Sequence, residues 1–355
     1  MLFLIAIFAA IVHIISVFSA PFADFMNRYP GAFVRGVLAT VSNIFPFSLT
    51  ETLILFIPVL FVFIMICSMK RVRRSFVHGI RCIFSLSSAL TLLYSVYVFA
   101  AAFSYNGTPL AEKLGLADVP VNAAGLKTAA EYMVDKMNDE LDEVNFKYKG
   151  SSYMPYTLGE MNDLLMDAFD KVCDKYSFVP RLHSRIKPIA LSEPMTYTHI
   201  SGLYSYYTGE ANLNVNFPDY TLPFTAAHEL AHQRGVIRED EANFMAFLVC
   251  AESDDAYIRY SGYLNMYEYL NSALYNSDYG AFADVYTTLD SRVLTEMKEF
   301  NRFFEKYRDN KVADISSAVN DTYLKLQGVS EGERSYGLVV ELAVAYVMEV
   351  EGEIS

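Results

Sequence analysis

Three uncharged apolar runs dominate the first hundred residues of the chain. They cover residues 1–20, 52–69 and 83–103. Runs of about 18 or more apolar residues without charge are typical of helices that cross a bilayer, although buried core helices can look similar. The pattern predicts a membrane anchor over residues 1–104 with three transmembrane helices.

The remainder, residues 105–355, has the patterning of a water-exposed domain. Apolar residues recur at helical spacing in 124–146 and 157–177, and almost everywhere after residue 250. The segments predicted as helices after residue 250 are 252–277, 281–307, 311–327 and 334–350. Stretches near 186–191 and 211–217 favour β-strands instead. We therefore predict a mainly α fold with a small β-sheet, in the α+β class.

The basic residues predict how the anchor is oriented. Five of them crowd the connection between the second and third apolar runs: Lys70, Arg71, Arg73, Arg74 and Arg81. In the 21–51 connection, acidic and basic residues cancel. Because positive residues are retained in the cytoplasm, the 70–81 connection is expected inside. This places the N-terminus inside, and the 21–51 loop and everything after residue 104 outside, as expected for a multi-pass protein of the cytoplasmic membrane.

Charge differs sharply between the two parts. Residues 1–104 hold seven Lys/Arg and two Asp/Glu, so the remaining 251 residues carry about −18 of the whole-chain balance of −13. A domain this acidic excludes nucleic acid as a partner, since such binding requires neutralising phosphates. The bilayer is the expected partner of the anchor. Cys173 and Cys250 either form a disulfide or remain two buried thiols.

The segment TLPFTAAHELAHQRG carries the most specific chemical pattern in the chain. A helix over about 221–234 places His228 and His232, four residues apart, on one face, where both imidazoles can reach one metal ion. Glu229 lies beside that face and can take a proton from a metal-activated water. The alternative is an amphipathic helix that carries two histidines by chance. The His-Glu-x-x-His spacing favours a zinc site with Glu229 as general base.

A third protein ligand is expected, because catalytic zinc usually has three. Gly235 can adopt a positive φ and end the first helix, after which a second helix can return along it. Glu239 shares a face with small neighbours, which favours it as the ligand, while Glu241 remains the alternative. Asn243, one turn after Glu239, is predicted to orient an imidazole.

The string HELAH followed by EDEAN resembles the gluzincin side of the zincin metallopeptidases. The longer string AAHELAHQRGVIREDEANFMAFLVC, after apolar N-terminal runs, looks like the bacterial membrane family DUF3810. This resemblance implies a zincin-like metallopeptidase domain on the outer face of a bacterial membrane. It implies zinc ligands at His228, His232 and Glu239, with Glu229 as general base. The interval from His232 to Glu239 is short for a gluzincin.

The expected activity is therefore zinc-dependent hydrolysis of peptide bonds in a peptide or protein, with the cell envelope as one source of substrate. An oxyanion donor is also expected. The candidates are Tyr336 or the nearby Arg334 and, equally, Tyr204, Tyr206 and Tyr207. The 211–217 strand is a candidate for pairing with substrate. The alternative function is a catalytically silent zincin-like sensor or scaffold of the envelope.

Overall fold

The computed structural model describes residues 2–72, 75–326 and 335–352. They form two compact units. Unit 1 comprises Met1–Thr108 together with Tyr204–Glu210, and unit 2 comprises Pro109–Leu203 and Ala211–Ser355. Residues 204–210, which lie inside the predicted outer domain, thus fall in unit 1.

Unit 1 is helical. Its α-helices are α1 (Leu2–Phe18), α2 (Ala20–Met26), α3 (Ala32–Ser42), α4 (Leu49–Val72) and α5 (Phe76–Ala100). A π-helical turn, Asn27–Gly31, joins α2 to α3, and a short 3-10 helix, Ala102–Asn106, follows α5. Ser19 begins α2 by accepting a hydrogen bond from the Phe22 N–H, and Pro21 occupies its first turn. The helix formed by the first apolar run therefore ends at residue 18.

Two helices in the described residues are long and apolar enough to cross a membrane, at Leu49–Lys70 and Phe76–Ala100. The prediction of three such helices is wrong at the first, because α1 has only 17 residues. At 1.5 Å per residue that is about 26 Å, short of a hydrocarbon core of about 30 Å. Helix α1 packs against α5 instead, with the His13 ring facing Tyr94. The predicted spans at 52–69 and 83–103 correspond to α4 and α5, with shifted ends.

Unit 2 contains the remaining elements. Its helices are α6 (Leu110–Leu114), α7 (Ala123–Glu140), α8 (Leu158–Lys175), α9 (Ser192–Thr196), α10 (Thr221–Gln233), α11 (Glu239–Ala251), α12 (Ala256–Ser277), α13 (Tyr279–Tyr286), α14 (Ser291–Glu305), α15 (Lys311–Leu326) and α16 (Ser335–Val350). The strands are β1 (Lys187–Pro188), β2 (Gly202–Ser205) and β3 (Glu210–Leu213), and the last two extend into unit 1.

The core of unit 2 is built from helices around α11 and α12. Helix α12 packs against α7, and α11 packs against α10, α12 and α16. Phe244, Phe247 and Leu264 are fully buried there. Because the small Gly262 faces Cys250, the two central helices approach closely: a Cβ on Gly262 would lie 2.4 Å from the Cys250 Cβ. Cys173 and Cys250 are both free thiols, so no disulfide joins them.

The sheet has three short strands in the order β1-β3-β2, and β1 runs parallel to β3. Lys187 pairs with Asn212, and Pro188 with Leu213. The mainly helical α+β class with a small sheet is confirmed. The predicted strand at 211–217 is shorter and begins earlier. The predicted helix at 281–307 is two helices, since Asp290 caps a new helix by accepting from the Arg292 N–H.

Candidate metal centre

Helix α10 presents two histidines on one face. Its ring pair His228 and His232 has centroids 4.5 Å apart and an interplanar angle of 81°. Their side chains are only 13% and 9% exposed. Since residues four apart are neighbours on a helix surface, the local geometry follows directly from the spacing. Both imidazoles therefore reach the same small volume.

A turn at Gly235 ends α10 and directs the chain toward α11. Gly235 has a φ of +93°, which is inexpensive only for glycine. Its N–H donates to the His232 carbonyl at 2.9 Å, and the Val236 N–H donates to the Ala231 carbonyl at 3.1 Å. These two bonds form the pattern that commonly closes helices with glycine after the cap. The predicted role of Gly235 is confirmed.

The same turn fixes the orientation of one imidazole. The Nδ1 of His232 lies 2.8 Å from the carbonyl oxygen of Val236. A carbonyl can only accept, so Nδ1 carries the proton and donates. In the neutral ring this leaves Nε2 as an acceptor for a metal or a proton. The sequence analysis missed this contact, although Gly235 marks the turn that produces it.

Helix α11 begins at Glu239 and brings its carboxylate to both histidines. Glu239 Oε2 lies 3.1 Å from His228 Nε2 and 3.7 Å from His232 Nε2. The three candidate ligand atoms all lie within 4.8 Å of one another. Of the two carboxylates predicted as third ligand, the structure thus places Glu239 with the histidines.

Glu241 has a different environment. It is buried, and its carboxylate accepts a hydrogen bond of 2.9 Å from the Leu110 N–H at the start of α6. Burial raises the pKa of Glu241 to about 7, although that hydrogen bond and Arg238 act in the opposite direction. Glu241 therefore stabilises the first turn of a neighbouring helix and does not join the histidine cluster.

The cluster is strongly coupled electrostatically. Burial by itself lowers the pKa of His232, but the carboxylates of Glu239 and Glu229 raise it overall to about 9. Burial raises the pKa of Glu239, but the two imidazoles hold it well below the usual range. The carboxylate of Glu239 and the two imidazoles thus attract one another, and a divalent cation would take the place of that attraction.

Glu229 is buried on α10 beside the edge strand β2. An added Cβ on Gly202, the first residue of β2, would lie 2.4 Å from Glu229 Oε1 and 2.7 Å from its Cγ. Only glycine, which has no Cβ, leaves enough room at position 202 for this carboxylate. Gly202 thus belongs to the site, and no sequence signal indicated it, because β2 has only four residues.

The other predicted site residues gain no defined role at the histidine cluster from the described structure. Asn243 is half-buried, and in the part of the chain that the structure describes its side chain forms no hydrogen bond with an imidazole. Tyr336 falls within α16, but its side chain lies outside the described residues, as does Arg334 entirely. The other tyrosine candidates belong to unit 1, where Tyr206 packs edge-on against Tyr97 at 5.5 Å.

The chain thus combines apolar helices of membrane-spanning length with a His-His-Glu cluster in a helical unit. It matches the model of the family described as "Protein of unknown function (DUF3810)" over residues 28–344. Because this covers most of the chain, the protein belongs to that family. The matched range includes parts of both units and the whole cluster. Neither the curated proteins nor the solved structures contain a match.

Proposed function

We propose that the protein is a zinc-dependent metallopeptidase anchored in a bacterial membrane. The observation that carries this proposal is the convergence of His228, His232 and Glu239 beside Glu229. The cluster fits zinc by a simple test. Tetrahedral ligands at 2.0–2.1 Å from zinc lie about 3.3–3.4 Å apart. The measured separations of 3.1 and 3.7 Å bracket that value.

The donor set also fits catalytic more than structural zinc. Structural sites are usually closed by four protein ligands, several of them cysteine, whereas catalytic sites combine three ligands with an open position. Two imidazoles and one carboxylate form a set of the second kind. Zinc, when bound there, would polarise a scissile carbonyl and lower the pKa of a water to about 7.

Glu229 would perform the proton transfers. It directly follows the ligand His228, and its burial and contact with Gly202 hold the carboxylate in one place. From there it would accept a proton from the attacking water and deliver it to the leaving amine nitrogen. His232 is kept in the correct tautomer by the Val236 carbonyl. Peptide or protein segments are thus the proposed substrates.

The proposed location is the outer face of the membrane. The basic residues Lys70, Arg71, Arg73 and Arg74 lie at the end of α4 and directly after it in the sequence, which favours the cytoplasmic side for this end. The Leu49 end of α4 and the Ala100 end of α5 would then face outward, and unit 2 follows from that side. No described helix after Ala100 qualifies as a further span. The prediction that the N-terminus lies inside required α1 as a third span; with two spans alone, the N-terminus would lie on the same outer side as unit 2.

Zinc content tests the site. The full-length chain in detergent micelles, reconstituted with zinc and desalted, should hold about one zinc ion per chain by mass spectrometry. His228→Ala and Glu239→Gln should lose it, while Glu241→Gln is the matched control that keeps it. Absence of zinc from the folded wild-type protein would overturn the proposal. Loss in Glu241→Gln with retention in Glu239→Gln would reassign the third ligand.

Hydrolysis tests the activity separately. Fluorescently labelled casein serves as an unstructured protein substrate, and Glu229→Gln is compared with wild type at equal zinc content. Cleavage by wild type alone supports the peptidase. A zinc-loaded wild-type protein that leaves casein and random fluorogenic peptides intact favours the silent sensor or scaffold.

A further inference from the structure

The segment before α4 forms one long helix whose apolar side is exposed. Helix α2, the π-turn and α3 follow one another without a break in right-handed helical conformation, and together they are called the surface helix (residues 20–42). Pro30 lies inside the π-turn, where the wider turn tolerates its missing N–H. The rod has 23 residues and a length of about 35 Å.

The outward side of the surface helix carries a row of large apolar side chains at four-residue spacing, and Arg28 and Thr40 are the exposed polar residues beside it. This apolar stripe consists of Phe25 (55% exposed), Tyr29 (55%), Phe33 (72%), Val37 (45%) and Val41 (52%). In a water-soluble protein such residues would face the core. An exposed apolar surface of this extent indicates a binding partner or a membrane.

The inward side carries the polar groups instead. Arg35 is fully buried and donates to the side chain of Asn27 at 2.9 Å and to the Ala100 carbonyl at 3.2 Å. Ala39 and Ser42 are also buried. A buried charge on the inner side and exposed apolar residues on the outer side are the reverse of what a surface helix of a water-soluble protein shows. The same inversion is typical of helices surrounded by lipid.

Contacts within unit 1 place the surface helix at one end of the two candidate spans. Near its start, Asp24 accepts hydrogen bonds from the N–H and hydroxyl of Thr108, a few residues beyond the end of α5. Further along, Arg35 reaches Ala100, the last residue of α5. Both contacts lie at the same end of α5, so the helix lies across the end of the spans and does not run beside them.

The apolar stripe is continuous with the lipid-exposed surface of α4. The connection to α4 exposes Ile44 (75%) and Phe47 (50%). The apolar window of α4 itself has none of its residues buried. A partner protein would have to cover all of this surface together, whereas a bilayer covers it without further contacts. Arg28, stacked over the exposed Tyr29 ring, adds a cation at the level of lipid phosphates.

We propose that the surface helix lies in the outer interface of the membrane, with the apolar stripe inserted among the acyl chains. Helices of this kind bury their apolar face about 5–10 Å below the headgroups. The partner is a lipid surface, and this assignment is independent of the metal centre. The 21–51 segment is thus a lipid-bound helix and not a loop in water.

Fluorescent labels on single cysteines test the depth. The full-length protein carries Cys67→Ser and Cys82→Ser and retains the buried Cys173 and Cys250. An environment-sensitive nitrobenzoxadiazole label is placed at Phe33→Cys or Val37→Cys, and the same protein without an added cysteine measures the background label. The protein is reconstituted in vesicles of phosphatidylcholine with a minor share of phosphatidylglycerol. Leu60→Cys on α4 gives the reference for a deep position, and Tyr148→Cys, 91% exposed in unit 2, the reference for water.

The labels at residues 33 and 37 should show blue-shifted emission. Nitroxide lipids labelled near the headgroup should quench them several-fold more than lipids labelled near the chain end, and the Leu60→Cys label should show the reverse. Water-like emission, as at Tyr148→Cys, overturns membrane contact. Quenching like that of Leu60→Cys overturns the interfacial depth. Protection from both quenchers, with Phe33→Cys crosslinking between copies, assigns the stripe to a dimer instead.

Discussion

Helices in the two units carry the same helical period but turn their apolar residues in opposite directions. In unit 2, Met133 and Phe169 lie on the apolar stripes of α7 and α8 and are fully buried. In the surface helix of unit 1, Phe33 and Val37 lie on the apolar stripe and are 72% and 45% exposed. Hydrophobic periodicity alone therefore identifies a helix but not whether its apolar face is buried or exposed. The helices of the two units differ in the face opposite their apolar residues. That face is charged in unit 2 and holds small residues and paired polar residues in the surface helix of unit 1.

The proposed chemistry lies in unit 2, and Glu229→Gln provides the strongest test of it. Loss of a general base should reduce casein hydrolysis about 10²- to 10⁴-fold. The isosteric amide should leave zinc content and melting temperature unchanged, because Glu229 is not a predicted ligand. Rates of peptide hydrolysis at saturating zinc measure the effect. Full activity in this variant would remove Glu229 from the mechanism.

Two leucine substitutions compare a buried position in unit 2 with an exposed position in unit 1. Leu264→Ala in α12 deletes a fully buried side chain and should lower the free energy of unfolding by about 2–5 kcal/mol. Leu60→Ala in α4 removes an exposed group, so the cost should stay within about 0.5 kcal/mol. Denaturant titration of both variants in the same detergent gives the two values. Equal losses would show that α4 is buried in a protein core.

Gly202→Ala tests how tightly the edge strand holds the general base. The new methyl group would overlap the Glu229 carboxylate, and a displacement of about 1 Å costs roughly 10²-fold in rate. Gly159→Ala, whose nearest neighbour would be the Thr157 hydroxyl at 3.8 Å, is the matched control and should keep full activity. The ratio of kcat values for the two variants measures the effect. Similar rates in both would show that Glu229 tolerates the methyl group.

The smallest effect concerns the pH dependence of unit 2. Burial raises the pKa of Glu268 to about 7, and Glu296 adds to this, while the hydrogen bond from the Tyr220 hydroxyl opposes it. The folded state therefore binds the proton more tightly than the unfolded state. This stability is present below the unfolded pKa of about 4.5 and is lost as pH rises toward 7. Melting temperatures measured between pH 4.5 and 8 should fall less steeply in Glu268→Gln.

Much of the metal centre could be inferred from the sequence, because its parts are local. His228 and His232 are placed by helical spacing, and Gly235 determines where α11 can begin. The choice of Glu239 over Glu241 also followed from which face carries small residues. The contact of Gly202 with Glu229 could not be inferred, since it joins segments of unrelated pattern.

The membrane-facing part was harder for a different reason. Asp24, Arg28 and Arg35 lower the mean hydropathy of the 20–42 segment, so it was assigned to a loop. Only the pairing of Arg35 with the distant Ala100 carbonyl shows that this charge is internal, whereas Arg28 is exposed. The first span was overestimated because apolar composition continues past Ser19, where the helix ends.

One contact in unit 1 also sets an order of events during synthesis. The backbone N–H groups of Leu49 and Thr50, at the start of α4, donate to the carboxylate of Glu210 at 3.0 and 2.7 Å. That partner is translated 161 residues after Leu49. At roughly 5–20 residues per second, the ribosome needs about 8–32 s to reach it. In the proposed topology, helix α4 enters the membrane before Glu210 exists to accept these two hydrogen bonds, and unit 1 is completed only when most of the first half of unit 2 has left the ribosome.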